Sequence, residues 1–420
     1  MRFLIKHKFA FILILGLLIR FSLLFLDFAW DINSFISWGK DLNTRGFPGF
    51  YETISSEVYA PKYPNYPPFS LFLFYLIYPF QKIIFSLVWY LNTTFSAFPS
   101  NIVLFVENRS FIAGLFKLPA ILADLFLGLL MMRFSKNYKL LIFALIFLNP
   151  VVFYISSYWG QIDAIPLLLI LYSIYFLIFS KKYIISGLLF TSAILFKPTV
   201  LLFIPIYLIY FVKKYGLNKF LKSLTFSIIL FWFSFFPFFN KGNLFAFPYT
   251  TYLNRVLLGQ DLTLTTNSAY NFWAVVTGFN NIQESAKFIF NFSYQQIGLL
   301  IAFGFILFIS FIFLNKKSNL KNFLYAIILS VYSSFLFLTK MHERYLLLLL
   351  PFICLLAIIE KKYLKIFFIF TIISFLNLYH SWPVPRIDPL LTFLSNPYIV
   401  SIISILNITI FLKLLLNFKK

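Results

Sequence analysis

An all-α integral membrane protein with about twelve transmembrane helices is the fold class that this sequence predicts. Of its 420 residues, 61% are hydrophobic and only 11% are charged, and the mean hydropathy is +0.88. These values exclude a soluble globular domain. The apolar residues fall in runs close to the length of about 20 residues that spans a bilayer as a helix. The runs are 9–26, 111–132, 138–155, 164–180, 183–196, 198–212, 223–239, 293–314, 322–338, 345–359, 363–379 and 397–416.

The basic residues indicate the direction in which the chain is threaded. The formal net charge is +22, but the Lys and Arg residues lie in short clusters between the apolar runs. This pattern is typical of cytoplasmic loops and argues against a nucleic-acid partner. With a cytoplasmic N-terminus, the twelve runs place every basic cluster on the inner side. The sequence therefore predicts one multi-pass unit, residues 1–420, in the cell membrane.

The extracytoplasmic face then collects a long first loop, 27–110, and a second large loop, 240–292. Shorter outer segments are 156–163, the turn at Lys197-Pro198, 339–345 and 380–396. Residues 68–91 are apolar enough to cross the bilayer, but a single crossing there would invert every later basic cluster. We interpret them as interfacial or re-entrant helices, interrupted at Pro79 and Lys82. A pair of crossings is the alternative.

Asp31 follows the first apolar run in Trp30-Asp31-Ile32-Asn33 and is the first candidate for chemistry. A carboxylate half shielded by aromatic and apolar neighbours is expected to have a raised pKa, which suits a general base. The alternative is that Asp31 only caps the helix that follows.

Trp159-Gly160-Gln161-Ile162-Asp163 places an amide and a carboxylate between two apolar runs. An ionisable side chain near the bilayer core costs about 2.5–3.5 kcal/mol, so such residues usually have a function. We expect Gln161 and Asp163 to shape a substrate pocket. The alternatives are that Asp163 is a helix N-cap ahead of Pro166 and that Trp159 is an interfacial anchor.

Met341-His342-Glu343-Arg344-Tyr345 is the densest polar cluster beside an apolar run. It is no zinc motif, because Leu346 stands where the second His of H-E-x-x-H would be, and we expect no metal. His342 and Arg344 could instead hold a phosphate, with Glu343 fixing the guanidinium. A solvated turn is the alternative.

Three basic residues stand inside or between apolar runs. Lys197 is a further candidate for binding phosphate. Lys117 and Asp124 lie seven residues apart, which is two helical turns, so they face the same way. These two, and Arg20, could equally serve polar packing.

Together these residues resemble the GT-C superfamily of polytopic glycosyltransferases that use polyprenyl-phosphate sugars. The closest resemblance is to the bacterial group related to the second mannosyltransferase of glycosylphosphatidylinositol assembly. It covers residues 9–360 approximately. The positions that carry it are Asp31, Trp38, Gly46, Tyr51, Tyr66-Pro67-Pro68, Lys117-Leu118-Pro119, Asp124, Asn149-Pro150, Trp159 to Asp163, Lys197-Pro198 and His342 to Tyr345.

The resemblance implies that Asp31 is the catalytic base. We also expect Tyr66, Trp159 and Glu343 to belong to the substrate pocket. The dolichyl-phosphate-glucose-dependent transferases of N-glycan assembly look similar over Asp31 to Pro68 and often have an acid before Tyr-Pro-Pro. This chain has Asn65 there, which puts a second acidic role in doubt.

A lipid-phosphate sugar brings its own leaving group, so the reaction needs one base and cations for the departing phosphate, and no cofactor. Direct displacement predicts inversion at the anomeric carbon, and the resemblance favours a hexosyltransferase with mannose as its sugar. The donor would be a polyprenyl-phosphate sugar, and the acceptor a lipid-linked or cell-surface glycan. The main alternative is a transporter or flippase for lipid-linked sugars, although the sequence has no internal repeat. An intramembrane protease is a third option, but its sequence motifs are missing.

Overall fold

The computed structural model of the chain describes residues 2–259 and 262–419. The described part folds into helices and one small antiparallel hairpin, in which β1 (Lys287–Ile289) pairs with β2 (Phe292–Ser293). The α-helices are α1 (Arg2–Leu23), α2 (Trp30–Arg45), α3 (Pro68–Thr94), α4 (Ser100–Glu107), α5 (Arg109–Met131), α6 (Lys139–Phe147), α7 (Pro150–Phe153), α8 (Ala164–Tyr175), α9 (Tyr183–Phe196), α10 (Ile204–Tyr215), α11 (Leu217–Phe235), α12 (Phe247–Thr251), α13 (Phe272–Thr277), α14 (Tyr294–Asn315), α15 (Leu320–Phe337), α16 (Leu350–Ile359), α17 (Leu364–Ser381), α18 (Asp388–Ser395) and α19 (Pro397–Lys419).

The prediction of an all-α polytopic membrane protein is confirmed. Within the described residues, eight helices are long and apolar enough to cross a membrane. A ninth candidate span joins α6 to α7 and the π-helical turn Tyr154–Trp159, with a bend of 44°. The runs 164–180 and 183–196 form shorter apolar helices. Each of the twelve predicted runs is thus mostly helical, whereas a count of twelve crossings stays a prediction.

The segment 68–91 forms a single continuous helix, so the expected interruption at Pro79 is wrong. A proline inside a helix leaves the carbonyl four residues earlier without its N–H partner. Here that carbonyl belongs to Tyr75 and accepts a hydrogen bond from Asn43 Nδ2 of α2 at 3.0 Å. The contact compensates for the missing bond and fastens α3 to α2. By length and composition α3 is a candidate for crossing, although the charge pattern argues against a single crossing there.

Asparagine side chains begin several of the helices. Asn108 Oδ1 accepts from Ser110 N at 2.8 Å at the start of α5, and Asn149 Oδ1 accepts from Val151 N at 3.0 Å at the start of α7. A capped first turn satisfies backbone N–H groups that the helix itself leaves unpaired. The Asn149-Pro150 pair therefore restarts the chain after α6 and directs it into the π-helical turn.

One buried ion pair joins the first helix to the bundle. Arg20 Nε donates to Asp124 Oδ2 at 3.0 Å, and Arg20 Nη1 donates to Phe147 O at 2.8 Å. The hydroxyl of Ser156 also donates to Asp124 Oδ2, at 2.6 Å. Arg20 and Asp124 are both fully buried. These contacts tie α1, α5 and α6 to the π-helical turn, so the polar-packing interpretation holds for this pair.

Lys117 of α5 gathers three backbone carbonyls with its buried ammonium group. It donates to Leu24 O and Ser157 O, each at 2.9 Å, and to Asp27 O. Leu24 and Asp27 belong to the segment that leaves α1, and Ser157 belongs to the π-helical turn. Lys117 therefore holds together the two segments that lead to Asp31 and to Gln161.

We expect Lys117→Met to lower the melting temperature of the detergent-solubilised protein by several degrees, because each buried carbonyl left unpaired costs about 1–3 kcal/mol. Lys82→Met, which removes an exposed lysine from α3, is the matched control and should leave the melting temperature nearly unchanged. Equal melting temperatures for the two variants would contradict the role given to Lys117.

Candidate functional site

One cavity collects residues from five of the predicted outer segments. Its volume is about 310 Å³, and ligand sites commonly occupy about 300–1,000 Å³. Segments 27–110, 156–163, 240–292, 339–345 and 380–396 all contribute to its wall. The lining residues that matter here are Trp30, Asp31, Trp159, Asn267, Phe279, His342, Glu343, Arg344, Ser381 and Trp382. The five segments therefore lie at the same end of the helix bundle; which compartment that end faces stays a prediction.

Asp31 lies in the first turn of α2 with one third of its side chain exposed (33%). The helix N-cap is Ala29, whose N–H is held by the carbonyl of Trp159 at 2.9 Å. Asp31 instead accepts a hydrogen bond from Gln161 Nε2 and lies 3.6 Å from Arg344 Nη2. The alternative that Asp31 only caps the helix is therefore wrong.

The charge environment of Asp31 reverses the expected direction of its pKa. Burial by itself would raise the pKa of this carboxyl group. Arg344, Lys62 and Lys197, together with the hydrogen bond from Gln161, more than offset burial and hold the pKa of Asp31 below its ordinary value. The carboxylate is thus ionised at neutral pH and free to accept a proton.

Behind Asp31, buried polar groups form a ring that closes on Arg344. Lys197 Nζ contacts both oxygens of Asp163, at 2.8 and 2.9 Å, and lies 3.5 Å from Gln161 Oε1. Arg344 Nε is 4.0 Å from Asp163 Oδ2. Asp163 occupies the N-cap position of α8, as the alternative predicted, but its side chain makes no capping hydrogen bond and instead pairs with Lys197 and Arg344.

Gln161, Asp163 and Lys197 were expected to meet substrate or phosphate directly. They are 0%, 2% and 4% exposed, and none of them is among the residues that line the cavity. The carbonyl oxygen of the Gln161 amide faces Lys197 and its NH₂ group faces Asp31. This geometry lets the three residues orient and stabilise Asp31 and Arg344.

Glu343 and Arg344 are buried and His342 is half-buried, so the alternative of a solvated turn is wrong. Glu343 begins the 3₁₀-helix Glu343–Leu349, and its Oε1 accepts from Arg344 Nη1 at 3.0 Å. Burial would lower the pKa of Arg344, but Glu343 and Asp31 more than offset it, so the guanidinium stays charged. Burial and then Arg344 lower the pKa of His342, which favours a neutral imidazole.

Of the two aromatic residues predicted for the substrate pocket, Trp159 lines the cavity and Tyr66 does not. Trp159 lines the cavity, and its ring stacks on Trp382 with centroids 6.4 Å apart. Tyr66 packs between Phe35 and Trp38, outside the cavity lining. Lys197 Nζ lies 5.8 Å from the centre of the Tyr66 ring. Tyr66 therefore makes a cation–π contact with the buried Lys197.

Asn267, Ser381 and Trp382 were not among the site residues predicted from the sequence, although the loops that contain them were predicted. Asn267 Nδ2 lies 3.3 Å from His342 Nε2, which brings the second large loop onto the polar cluster. Its neighbours Thr265 and Thr266 are also buried. A short run of polar residues without periodicity, such as this one, was the only available signal.

A comparison with known protein families gives one match over most of the chain. The model of the ALG6, ALG8 glycosyltransferase family matches residues 65–415. The chain belongs to the ALG6, ALG8 glycosyltransferase family. No curated protein matches it.

Membership confirms the GT-C resemblance and supports a membrane glycosyltransferase over a transporter. The finer grouping with the second mannosyltransferase of glycosylphosphatidylinositol assembly stays a prediction. The family match begins at Asn65, so Asp31 lies before the matched residues. Its assignment in this glycosyltransferase depends on the geometry of the cavity and on the resemblance of residues 31–68.

Gly160 has no side chain, which allows its backbone to pack closely against Ile32, the residue after Asp31. We expect Gly160→Ala to reduce glycosyl transfer strongly. Its φ of +87° disfavours other residues, and a Cβ there would lie 2.1 Å from Ile32 Cδ1, next to Asp31. Gly216→Ala is the matched control, because φ is +82° and nothing described lies within 4 Å of the added Cβ. Equal transfer rates per folded enzyme in the two variants would contradict a steric role for Gly160.

Proposed function

We propose that this glycosyltransferase moves a hexose, with mannose as the favoured sugar, from a polyprenyl phosphate to a lipid-linked or cell-surface glycan. Transfer would take place on the extracytoplasmic face with inversion of the anomeric centre. One observation carries the proposal: Asp31 and Arg344 face the same cavity, with Oδ2 and Nη2 3.6 Å apart. A base and a cation thus flank the space in which a sugar phosphate would bind.

Asp31 would act on the acceptor. Its ionised carboxylate takes the proton of the acceptor hydroxyl as that oxygen attacks the anomeric carbon. The bond between the anomeric carbon and the phosphate oxygen breaks, and the electron pair leaves with the polyprenyl phosphate. No general acid is needed, because the phosphate is a stable anion when it departs.

Arg344 would hold the departing phosphate, assisted by His342. Glu343 fixes the guanidinium from one side, whereas Arg344 Nε has no hydrogen-bond partner among the described residues. Arginine suits phosphate because its N–H groups match the spacing of the phosphate oxygens. Lys197 is paired with Asp163 in the buried ring and does not line the cavity, so it would not contact the phosphate.

We expect Asp31→Asn to lower the transfer rate by about 10²–10⁴-fold, because the amide cannot accept the proton of the acceptor. The assay measures transfer from polyprenyl-phosphate hexoses in membranes, per amount of folded protein. Asp27→Asn is the matched control: it makes the same change four residues earlier, at a carboxylate that does not line the cavity and whose Oδ1 accepts from Phe28 N at 2.7 Å. Full activity of Asp31→Asn would rule out this carboxylate as the base.

The pH dependence tests the charges around Asp31. Because its pKa lies below the ordinary value, kcat/KM should fall only at acidic pH, where the carboxylate becomes protonated. Lys62→Met removes a positive charge that lowers this pKa, so the acidic fall should move to higher pH. Lys40→Met is the control, because Lys40 pairs with Glu57 at 2.8 Å. An identical acidic limb in wild type and Lys62→Met would contradict the charge argument.

A further inference from the structure

Four side-chain polar atoms, each from a residue that lines the cavity, are buried without a hydrogen-bond partner in the described part of the chain. They are Arg344 Nε, Asn267 Oδ1, Ser381 Oγ and Trp382 Nε1. Buried polar atoms are nearly always paired, so such a group at a cavity usually indicates what binds there. The reaction proposed above uses only Arg344, which leaves the other three unexplained.

The chemistry of these atoms restricts the ligand. The Trp382 N–H can only donate, Asn267 Oδ1 can only accept, and the Ser381 hydroxyl can do both. An apolar chain would leave all three unpaired. A phosphate offers acceptors alone and would be repelled by Asn267 Oδ1. A ligand with several hydroxyl groups satisfies the whole set, because each hydroxyl both donates and accepts.

The three residues lie next to the proposed phosphate site. Asn267 Nδ2 lies 3.3 Å from His342 Nε2. The unpaired Oδ1 of the same amide is therefore close to His342, which is proposed to assist in binding the phosphate. Trp382 stacks on Trp159, and both rings line the cavity. A sugar joined to a phosphate on Arg344 would therefore reach these side chains.

Hydrogen bonds to the backbone set the positions of Asn267 and Trp382. Asn377 Nδ2 donates to Ser268 O at 2.5 Å, beside Asn267, and the Tyr154 hydroxyl donates to the carbonyl of Trp382. Asn267 itself is only 6% exposed. Polar groups that are fixed before the ligand arrives can discriminate between hydroxyl arrangements.

We infer that Asn267, Ser381 and Trp382 form the pocket that recognises the hydroxyl groups of the transferred hexose. The inference rests on the proposed function, because it takes the donor phosphate to bind at Arg344. Asn267 accepts a hydrogen bond from one hydroxyl, and Ser381 and Trp382 donate to others. These residues would then determine which hexose is transferred.

The experiment uses the full-length protein in membranes and polyprenyl-phosphate hexoses that differ at single hydroxyl groups. Once a transferred hexose is known, its monodeoxy donors are compared with the parent donor. Trp382→Phe keeps the ring and removes the N–H, and Ser381→Ala removes one hydroxyl. Matched controls are Trp232→Phe and Ser374→Ala, whose removed polar atoms are likewise buried and unpaired within the described residues but lie outside the cavity.

The readout is the ratio of the transfer rates for the parent and each deoxy donor, because this ratio does not depend on the amount of folded enzyme. In the wild type we expect a preference for the parent of roughly fivefold for each hydrogen bond that the deoxy donor loses. In Trp382→Phe and Ser381→Ala the preference at one hydroxyl each should disappear, as it should in Asn267→Ala. The control variants should keep the wild-type ratios.

Unchanged ratios in all three cavity variants would overturn the inference while leaving the proposed transfer intact. A change confined to the KM of the acceptor would also overturn it, because the pocket would then bind acceptor. If the wild type transferred none of the hexoses, the proposed function itself would fail. The two failures are therefore distinguishable.

Discussion

The guanidinium of Arg344 lies among three carboxylates, and the arrangement of the cavity depends on it. Its nitrogens are 3.0 Å from Glu343, 3.6 Å from Asp31 and 4.0 Å from Asp163. Removing one partner from a buried charge pair costs about 3–5 kcal/mol, because the remaining charge loses its compensation. Each carboxylate belongs to a different chain segment or turn, so a single cation determines how the start of α2, the segment before α8 and the 3₁₀-helix at 343 approach one another.

A second set of buried cations, Lys117 and Arg20, holds the helices and segments that carry this cluster. Lys117 holds the carbonyls of Leu24, Asp27 and Ser157, and so fixes the segments that carry Asp31 and Gln161. Arg20 of α1 pairs with Asp124, which lies on α5 two helical turns after Lys117. Since α5 carries both Lys117 and Asp124, it is the element from which the first outer loop and the π-helical turn are positioned. The polar residues within the apolar runs thus position the segments that form the cavity, although they do not line the cavity themselves.

The sequence predicted the helices well because apolar runs are a local property that the bilayer enforces. Five of the candidate site residues also line the cavity, namely Asp31, Trp159, His342, Glu343 and Arg344, since polar and aromatic residues beside apolar runs are conspicuous. What it missed depends on distant contacts. The helix α3 continues through Pro79 because Asn43 of another helix pairs with the released carbonyl. The pKa of Asp31 is lowered because Arg344, Lys62 and Lys197, which are distant in sequence, surround it with positive charge. Lys197 suggested a phosphate ligand, but Asp163 already pairs with it.

The different distances around Arg344 have a consequence for the proposed reaction. The contact with Glu343, at 3.0 Å, is a hydrogen bond, whereas the contact with Asp31, at 3.6 Å, is a looser pairing of charges. A phosphate at Arg344 can therefore compete with Asp31 while Glu343 keeps the guanidinium in place. The positive charge that lowers the pKa of Asp31 would then be partly neutralised, and the carboxylate would become a stronger base. The base would thus gain strength when the donor is bound, which ties proton removal from the acceptor to the presence of a sugar that can receive it.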